Sequence, residues 1–123
     1  MPKLLIVDDE NDVREFAASF FRKRKIEVFT ASNGLEAVDL FAKQKADLVL
    51  LDINMSGMDG FETLQRLKEL DKDTRVIMVT GRKPDEGESL ARCQQLGAMD
   101  YIHKPLQLDE LERIVLRALN NIK

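Results

Sequence analysis

Short apolar runs alternate along this chain with longer stretches in which apolar residues recur every three or four positions. The short runs are apolar throughout, as expected for strands buried on both faces of a sheet, whereas the longer stretches have the periodicity of amphipathic helices. We interpret the short runs as strands at Leu4 to Val7, Ile26 to Ala31, Leu48 to Leu51, Val76 to Val79 and Tyr101 to Ile102.

A helix is predicted after each strand. The first covers Asp12 to Arg24, with Asn11 as its N-cap. The second begins at Asn33 with the capping-box spacing to Glu36, and the fourth ends at Gly97. The remaining helical stretches are Phe61 to Leu70, Leu90 to Leu96 and Leu108 to Leu119. The apolar residues expected on the inner faces of the first two helices are Val13, Phe16, Ala17, Phe20 and Phe21, then Leu35, Val38, Leu40 and Phe41.

The alternation of strands and helices defines the expected fold class. Repeated βα units predict an α/β fold, a parallel sheet with helices packed on both faces. The chain has 123 residues, which suits a single domain over positions 1–123 and suffices for one hydrophobic core.

Composition and charge exclude several functional classes. The net charge of −3 leaves no basic footprint for nucleic acid. No stretch approaches the ~20 apolar residues of a membrane span, and the apolar run before Asp8 is too short for a signal peptide. Cys93 is the only cysteine, and a free thiol fits a reducing compartment. We therefore expect a cytoplasmic protein that binds neither nucleic acid nor membranes.

Reactive polar residues follow four of the five strands directly. Asp8, Asp9 and Glu10 follow the first strand, and Asp52 follows the third. Thr80 and the segment His103 to Pro105 follow the fourth and fifth strands in the same way, with His103 itself expected to face solvent. The carboxyl ends of parallel strands share one edge of the sheet, where such folds bind ligands. These residues are therefore expected to converge on one pocket.

The chemistry of that pocket suits phosphoryl transfer. Three carboxylates brought together repel one another, and a divalent cation removes the repulsion. Oxygen ligands with room for water favour Mg²⁺ over zinc. Lys104 supplies a positive charge and Thr80 a hydroxyl for a bound anion, and a carboxylate can act as the nucleophile.

These residues resemble the receiver domain of two-component response regulators. Any one of the matching motifs is weak, but four in order at strand ends form a strong signal. The similarity covers essentially the whole chain and implies a flavodoxin-like (βα)₅ fold with strand order 2-1-3-4-5. It is carried by the segments Leu5 to Glu10, Leu51 to Gly60, Val79 to Gly81 and Gly97 to Pro105.

The resemblance implies a role for each matching residue. Asp52 is the implied phosphoryl acceptor, with Thr80 and Lys104 binding phosphoryl oxygens. Thr80 and Tyr101 are the implied switch residues. The implied ligands of Mg²⁺ are Asp8, Asp9, Asp52 and the backbone carbonyl of Asn54.

Two further positions are expected to tune the lifetime of the phosphoryl group. By the same resemblance, Asn54 and Arg82 border the approach of the hydrolytic water. The segment after Thr80 is slightly longer than is usual in the family, and we expect the extra length to form a loop over Gly81 to Gly87 before the fourth helix.

The resemblance also implies partners and a mode of action. The phosphodonor is a histidine kinase or a histidine phosphotransfer protein, and a downstream protein binds the face made by the fourth helix, fifth strand and fifth helix. The chemistry is self-catalysed aspartyl phosphorylation and autodephosphorylation rather than enzymatic turnover. A monomer or weak dimer is expected.

Two alternative functions stay open on the sequence. A haloacid-dehalogenase-like phosphatase also uses a strand-end aspartate, but it normally has an acid two residues later, where this chain has Asn54. A degenerate receiver acting only as a scaffold would lack part of the acid, hydroxyl and lysine set that is intact here.

Overall fold

The described part of the chain forms five strands and five helices in strict alternation. The computed structural model describes residues 2–53, 58–80, 86–103 and 107–120. The elements in chain order are β1 (Lys3–Val7), α1 (Asn11–Arg22), β2 (Glu27–Ala31), α2 (Gly34–Gln44), β3 (Leu48–Asp52), α3 (Gly60–Leu70), β4 (Arg75–Thr80), α4 (Glu86–Gln95), β5 (Asp100–His103) and α5 (Leu108–Asn120).

The strands form one parallel sheet in the order β2-β1-β3-β4-β5. This order confirms the one expected from the sequence. Leu5 of β1 is in register with Val49 of β3, and Val49 with Val76 of β4. Because every strand runs the same way, all five carboxyl ends lie at one edge, which we call the carboxyl edge.

Helices cover both faces of the sheet. Alternate residues of a strand point to opposite faces, so β1 sends Leu4 and Ile6 into one apolar cluster and Leu5 and Val7 into the other. The first cluster is shared with α1 and α5, and the second with α2, α3 and α4. Burial on both faces explains why the strands are apolar throughout rather than at alternate positions.

Helix α1 differs from its sequence prediction in two ways. Asn11 is its first helical residue and Glu10 occupies the N-cap position without a side-chain cap, so the assignment of Asn11 as N-cap was wrong. Phe16 is 51% exposed, whereas Ala17, Ala18 and Phe21 are fully buried. The helix is therefore rotated so that two small residues approach the sheet, and the inward placement of Phe16 was also wrong.

The turn after α1 ends the helix two residues earlier than predicted. Lys25 has φ +63°, in the left-handed region, and Lys45 at the C-cap of α2 has φ +53°. Arg24 lies over the ring of Phe20 at 3.6 Å and pairs with Glu112 at 2.5 Å. These contacts fix the end of α1 against α5.

Helix α4 begins at Glu86, so Glu86 and Gly87 are helical and not part of the expected loop, whose other residues, 81–85, lie outside the described part of the chain. Its C-terminus agrees with the sequence. Gly97 has φ +95°, its N–H donates to the carbonyl of Gln94, and the N–H of Ala98 donates to that of Cys93. This is a Schellman motif, in which glycine takes the left-handed position without steric cost. Within the described part of the chain, no helix is both long and apolar enough to cross a membrane.

Candidate functional site

Three strands deliver polar side chains to the carboxyl edge at the same height. Asp52 and Thr80 are the last residues of β3 and β4, and Asp8 follows β1 directly. Val7 is in register with Leu51, so Asp8 and Asp52 leave adjacent strands side by side. The convergence expected from the sequence is therefore present for these three residues.

The acidic side chains form a cluster of three. Carboxylate oxygens of Asp8, Asp9 and Asp52 all lie within 4.8 Å of one another. Asp8 is 4% exposed and Asp52 only 2%, whereas Asp9 is exposed. The cluster is thus sunk into the edge of the sheet and open to solvent on the Asp9 side.

The donor set of this cluster fits a divalent cation. Buried carboxylates near one another are costly unless a positive charge compensates them. Hard oxygen atoms suit Mg²⁺ or Ca²⁺, and the small number of side chains leaves positions for water, as Mg²⁺ requires. No sulfur or imidazole ligand is among the three described members, which argues against a zinc site.

The turn between β1 and α1 holds Asp8 firmly. Its N–H donates to the carbonyl of Ala31 at 3.1 Å, which continues the pairing of β1 with β2. One carboxylate oxygen accepts the N–H of Glu10 at 2.9 Å, and Nη1 of Arg14 donates to the Asp8 carbonyl at 2.9 Å. The sequence prediction did not include Arg14, because a helix surface arginine gives no signal of a contact six residues back.

The main chain that follows Asp52 is held on both sides. The N–H of Ile53 donates to the carbonyl of Val79 at 2.9 Å, and its carbonyl accepts the N–H of Gly60 at 3.0 Å. The first residue of α3 is therefore hydrogen-bonded to the main chain of Ile53, the residue directly after Asp52. Gly60 was part of a motif singled out in the sequence, but no role was assigned to it there.

The predicted switch residues lie on the neighbouring strands β4 and β5. Thr80 is 2% exposed and in register with His103. Tyr101 is half-buried against the α2–α4 face, and its ring meets that of His103 edge-on with centroids 5.2 Å apart. His103 is likewise half-buried, so its expected position as a plain surface residue was wrong.

Three residues expected at the site lie outside the described part of the chain. They are Asn54, Arg82 and Lys104. Their roles stay predictions from the sequence.

Cys93 lies away from the acidic cluster, on the inner face of α4. Its side chain is buried, and burial raises the pKa of the thiol from 9.0 to about 11, against the opposing effect of the positive charge of Arg92. The thiolate is the reactive form of cysteine, so this thiol is inert at neutral pH.

Comparison with protein families and curated proteins gives a consistent result. The family described as the response regulator receiver domain matches residues 4–116. Sporulation initiation phosphotransferase F of Bacillus subtilis (strain 168) is 39% identical over 117 residues, which are 95% of this chain and 93% of that protein. Regulatory protein AtoC of Escherichia coli (strain K12) is 41% identical over 117 residues, 95% of this chain but 25% of AtoC.

Solved structures show the same architecture. A two-component response regulator from Clostridium difficile superposes with a TM-score of 0.91 at 26% identity, covering 98% of both chains. The chemotaxis protein CheY4 of Vibrio cholerae superposes with a TM-score of 0.87 at 29% identity, covering 97% of this chain and 99% of that one. The chain spans nearly the whole of some relatives, but about a quarter of AtoC and about half of the heme response regulator HssR of Staphylococcus aureus.

Proposed function

This chain belongs to the response regulator receiver domain family of two-component signal transduction, and on that basis we propose that Asp52 is its phosphoryl acceptor. Receiver domains are phosphorylated by histidine kinases or phosphotransfer proteins. The observation that carries the proposal is the position of Asp52 at the end of β3, with carboxylate oxygens of Asp8 and Asp9 within 4.8 Å. No other described aspartate ends a central strand inside such a cluster.

The proposed reaction is an in-line displacement at phosphorus. A carboxylate oxygen of Asp52 attacks the phosphorus of a phosphohistidine, the new O–P bond forms, and the N–P bond to the imidazole breaks. The imidazole leaves with the electron pair of that bond and takes up a proton. The fixed main chain on either side of Asp52 supports this role, because a nucleophile held in position removes much of the entropic barrier.

The acidic cluster is the proposed Mg²⁺ site. Asp8, Asp9 and Asp52 provide side-chain oxygens, and the main-chain carbonyl of Asn54 is the further ligand that we propose. Asp9 is the direct ligand and Asp8 acts through water. Bound Mg²⁺ neutralises negative charge on the phosphoryl oxygens. The exposure of Asp9 beside two buried carboxylates supports entry of the ion from the solvent side.

Thr80 and Lys104 are the proposed ligands of the remaining phosphoryl oxygens. Thr80 is supported by its burial at the end of β4, the strand next to Asp52. A hydroxyl can donate one hydrogen bond to an anion, and an ammonium supplies a compact positive charge. For Lys104 the support is its place in the sequence, directly after His103 of β5.

The proposed output is a change of the α4–β5–α5 surface. A phosphoryl group adds about −1.5 to −2 charges and new acceptor oxygens, which draw the Thr80 hydroxyl inward. Tyr101 then moves into the space that Thr80 leaves, and a downstream protein binds the altered surface. The half-buried position of Tyr101 on the strand next to Thr80 supports this coupling.

Phosphoryl lifetime is proposed to depend on Asn54 and Arg82. The amide of Asn54 can hold the hydrolytic water, while the guanidinium of Arg82 can pair with the phosphoryl group and screen it. Arg82→Ala should then lose the phosphoryl group faster than wild type at fixed Mg²⁺ and salt. A slower loss would instead assign Arg82 to transition-state stabilisation.

The proposed context is a cytoplasmic single domain over residues 1–123, monomeric or weakly dimeric, that binds neither nucleic acid nor membranes through this domain. The continuous five-stranded sheet supports one domain, and the buried free thiol of Cys93 is compatible with a reducing compartment. This chain matches only part of its longer relatives, 25% of AtoC and 54% of HssR.

The decisive experiment is labelling by acetyl phosphate with Mg²⁺, followed by intact-protein mass spectrometry. Wild type should gain one phosphoryl group, and Asp52→Asn or EDTA should abolish the gain. Asp39→Asn is the matched control, because it removes an exposed carboxylate that pairs with Lys43 on α2, away from the cluster. Equal labelling of the Asp52→Asn protein would refute the assignment. Stoichiometric labelling without turnover also separates this function from the haloacid-dehalogenase-like phosphatase, for which the comparisons give no support.

A further inference from the structure

Gly60 lies so close to the main chain of Asp52 and Ile53 that no side chain would fit at its position. A Cβ atom at this position would lie 2.5 Å from the carbonyl oxygen of Asp52 and 2.6 Å from Cα of Ile53. Real Cβ atoms essentially never approach another heavy atom more closely than 3.0 Å. Both neighbours are main-chain atoms, so no side-chain rotation can relieve the overlap.

Gly60 contacts the peptide that joins Asp52, the proposed phosphoryl acceptor, to Ile53. The N–H of Ile53 is bonded to Val79, directly before Thr80, and the carbonyl of Ile53 is bonded to the N–H of Gly60. The end of β4 therefore holds the Asp52–Ile53 peptide through its N–H, and the first residue of α3 holds Ile53 through its carbonyl. A shift of Gly60 away from Asp52 would move the acceptor relative to β4 or break one of these bonds.

We propose that Gly60 is a positioning residue for phosphoryl transfer: the absence of its side chain lets α3 rest against the Asp52–Ile53 peptide and thereby sets the place of the Asp52 carboxylate. This inference rests on the proposed role of Asp52 as acceptor. A Cβ would have to displace the peptide or the helix by about 0.5 Å or more, and misplacement of a reacting group by about 1 Å can cost about 100-fold in rate.

Gly34 provides a matched control elsewhere in the chain. It is also the first residue of a helix, is also buried, and a Cβ there would also overlap its neighbours, at 2.3 Å from Oγ1 of Thr63 and 3.0 Å from Sδ of Met58. Those neighbours are side-chain atoms, and none of them belongs to Asp52 or Ile53. Gly34→Ala therefore tests the cost of crowding a helix start without touching the acceptor peptide.

The experiment compares wild type, Gly60→Ala and Gly34→Ala. The folded fraction of each is measured by urea unfolding, and the maximal labelling rate per folded molecule is measured at saturating acetyl phosphate and Mg²⁺. The Mg²⁺ dissociation constant is obtained from amide shifts of Asp8 and Asp9. Gly60→Ala should lower the maximal rate at least about tenfold and weaken Mg²⁺ binding, whereas Gly34→Ala should stay within about twofold of wild type.

Each other outcome has a defined meaning. If Gly60→Ala lowers labelling only in proportion to its folded fraction, or if both variants lose rate per folded molecule equally, the inference is overturned. Failure of wild type itself to be labelled at Asp52 would instead refute the proposed function. Should Gly60→Ala be too unstable, it is measured together with Lys25→Gly and Lys45→Gly, which replace residues at positive φ and raise stability away from the site.

Discussion

Two helices on the same face of the sheet begin with nearly the same four residues and use them differently. Helix α2 begins at Asn33-Gly34-Leu35-Glu36 and α3 at Asp59-Gly60-Phe61-Glu62. In each, the first side chain caps the helix by accepting the N–H of the glutamate, at 2.8 Å in α2 and 2.9 Å in α3. In each, the glycine is buried. The local pattern thus sets where both helices start.

The two turns differ in the residues that surround them. Gly34 faces side chains of α3 and its preceding turn, whereas Gly60 faces the main chain of Asp52 and Ile53. Leu35 is 68% exposed, so its expected place on the inner face of α2 was wrong, whereas the corresponding Phe61 lies beneath the guanidinium of Arg92 at 4.2 Å. Two turns with the same capping hydrogen bond can therefore differ in their tertiary contacts.

The largest expected difference between the two turns is the stability lost when the glycine is replaced by alanine. Gly60→Ala should lower the free energy of unfolding by about 3 kcal/mol, because main-chain atoms cannot give way. Gly34→Ala should cost about 1–2 kcal/mol, because the Thr63 and Met58 side chains can move. Urea unfolding of both variants measures the difference, and equal costs would show that the turns are equivalent.

A double-mutant cycle sharpens that result. Thr63→Ala removes the hydroxyl that lies 2.3 Å from the Gly34 Cβ position, so it should offset part of the cost of Gly34→Ala. Additive behaviour of Gly34→Ala and Thr63→Ala would contradict the proposed relief.

The buried thiol of Cys93 tests whether water is excluded from the apolar cluster against which α2 and α3 pack. Cys93 belongs to the same cluster as Ala37 of α2 and Leu64 of α3. Its pKa rises from 9.0 to about 11 because of burial, so the unfolded chain releases the proton first as the pH increases. The stabilisation is fully present below pH 9 and is lost as the pH rises to about 11.

We expect the free energy of unfolding of wild type to fall on the order of 2 kcal/mol more than that of Cys93→Ala across this range. Because only the change of the free energy of unfolding with pH is compared, the constant loss of stability from the smaller side chain cancels. The titration of all other groups also cancels, because it is common to both proteins. Parallel pH dependence of the two proteins would mean that water reaches the apolar cluster around Cys93. The predicted costs of Gly34→Ala and Gly60→Ala would then be smaller.

The capping residues should contribute almost equally to stability. Asn33→Ala and Asp59→Ala each remove one hydrogen bond to a helix N-terminus, at a cost of about 1 kcal/mol. Thermal or urea unfolding of the two variants should agree within roughly 0.5 kcal/mol. A much larger loss for Asp59→Ala would indicate that this carboxylate supports the acidic site in addition to α3.

The smallest expected contrast is between the two glutamates. Glu36 accepts the N–H of Ser32 at 2.6 Å and so completes the cap of α2, whereas Glu62 pairs with Arg66 at 3.2 Å on the exposed face of α3. Glu36→Ala should cost roughly 0.5–1 kcal/mol and Glu62→Ala about 0.3–0.5 kcal/mol. Only the second loss should diminish at high salt, because an exposed ion pair is screened.

The sequence was sufficient for the fold because its signals are periodic and local. Continuous apolar runs predicted strands buried on both sides, and polar residues at their ends predicted the carboxyl edge. The orientation of α1 was harder to predict, because Phe16 and Ala18 are both apolar and periodicity alone cannot choose between them. The structure places Ala17 and Ala18 inward, where small side chains let the helix lie close to the sheet.

The acidic cluster could be predicted, but the support beneath it could not. Asp8, Asp9 and Asp52 are recognisable because carboxylates at strand ends have few structural roles. Gly60 is recognisable only as a helix start, since its contact with Asp52 depends on how α3 returns to the sheet. The contact of Arg14 with the carbonyl of Asp8 could not be predicted from the sequence either, because it depends on the angle at which α1 leaves β1.

The strand order has a consequence for the newborn chain. Asp8 and Asp9 emerge from the ribosome first, but β1 is flanked by β2 and β3, and Asp52 is synthesised 44 residues after Asp8. At about 5–20 residues per second, this interval lasts between about 2 and 9 seconds. Long-range parallel pairing is also slow to form. A partly synthesised chain therefore has Asp8 and Asp9 without Asp52, and translation must pass β3 before the acidic cluster can form.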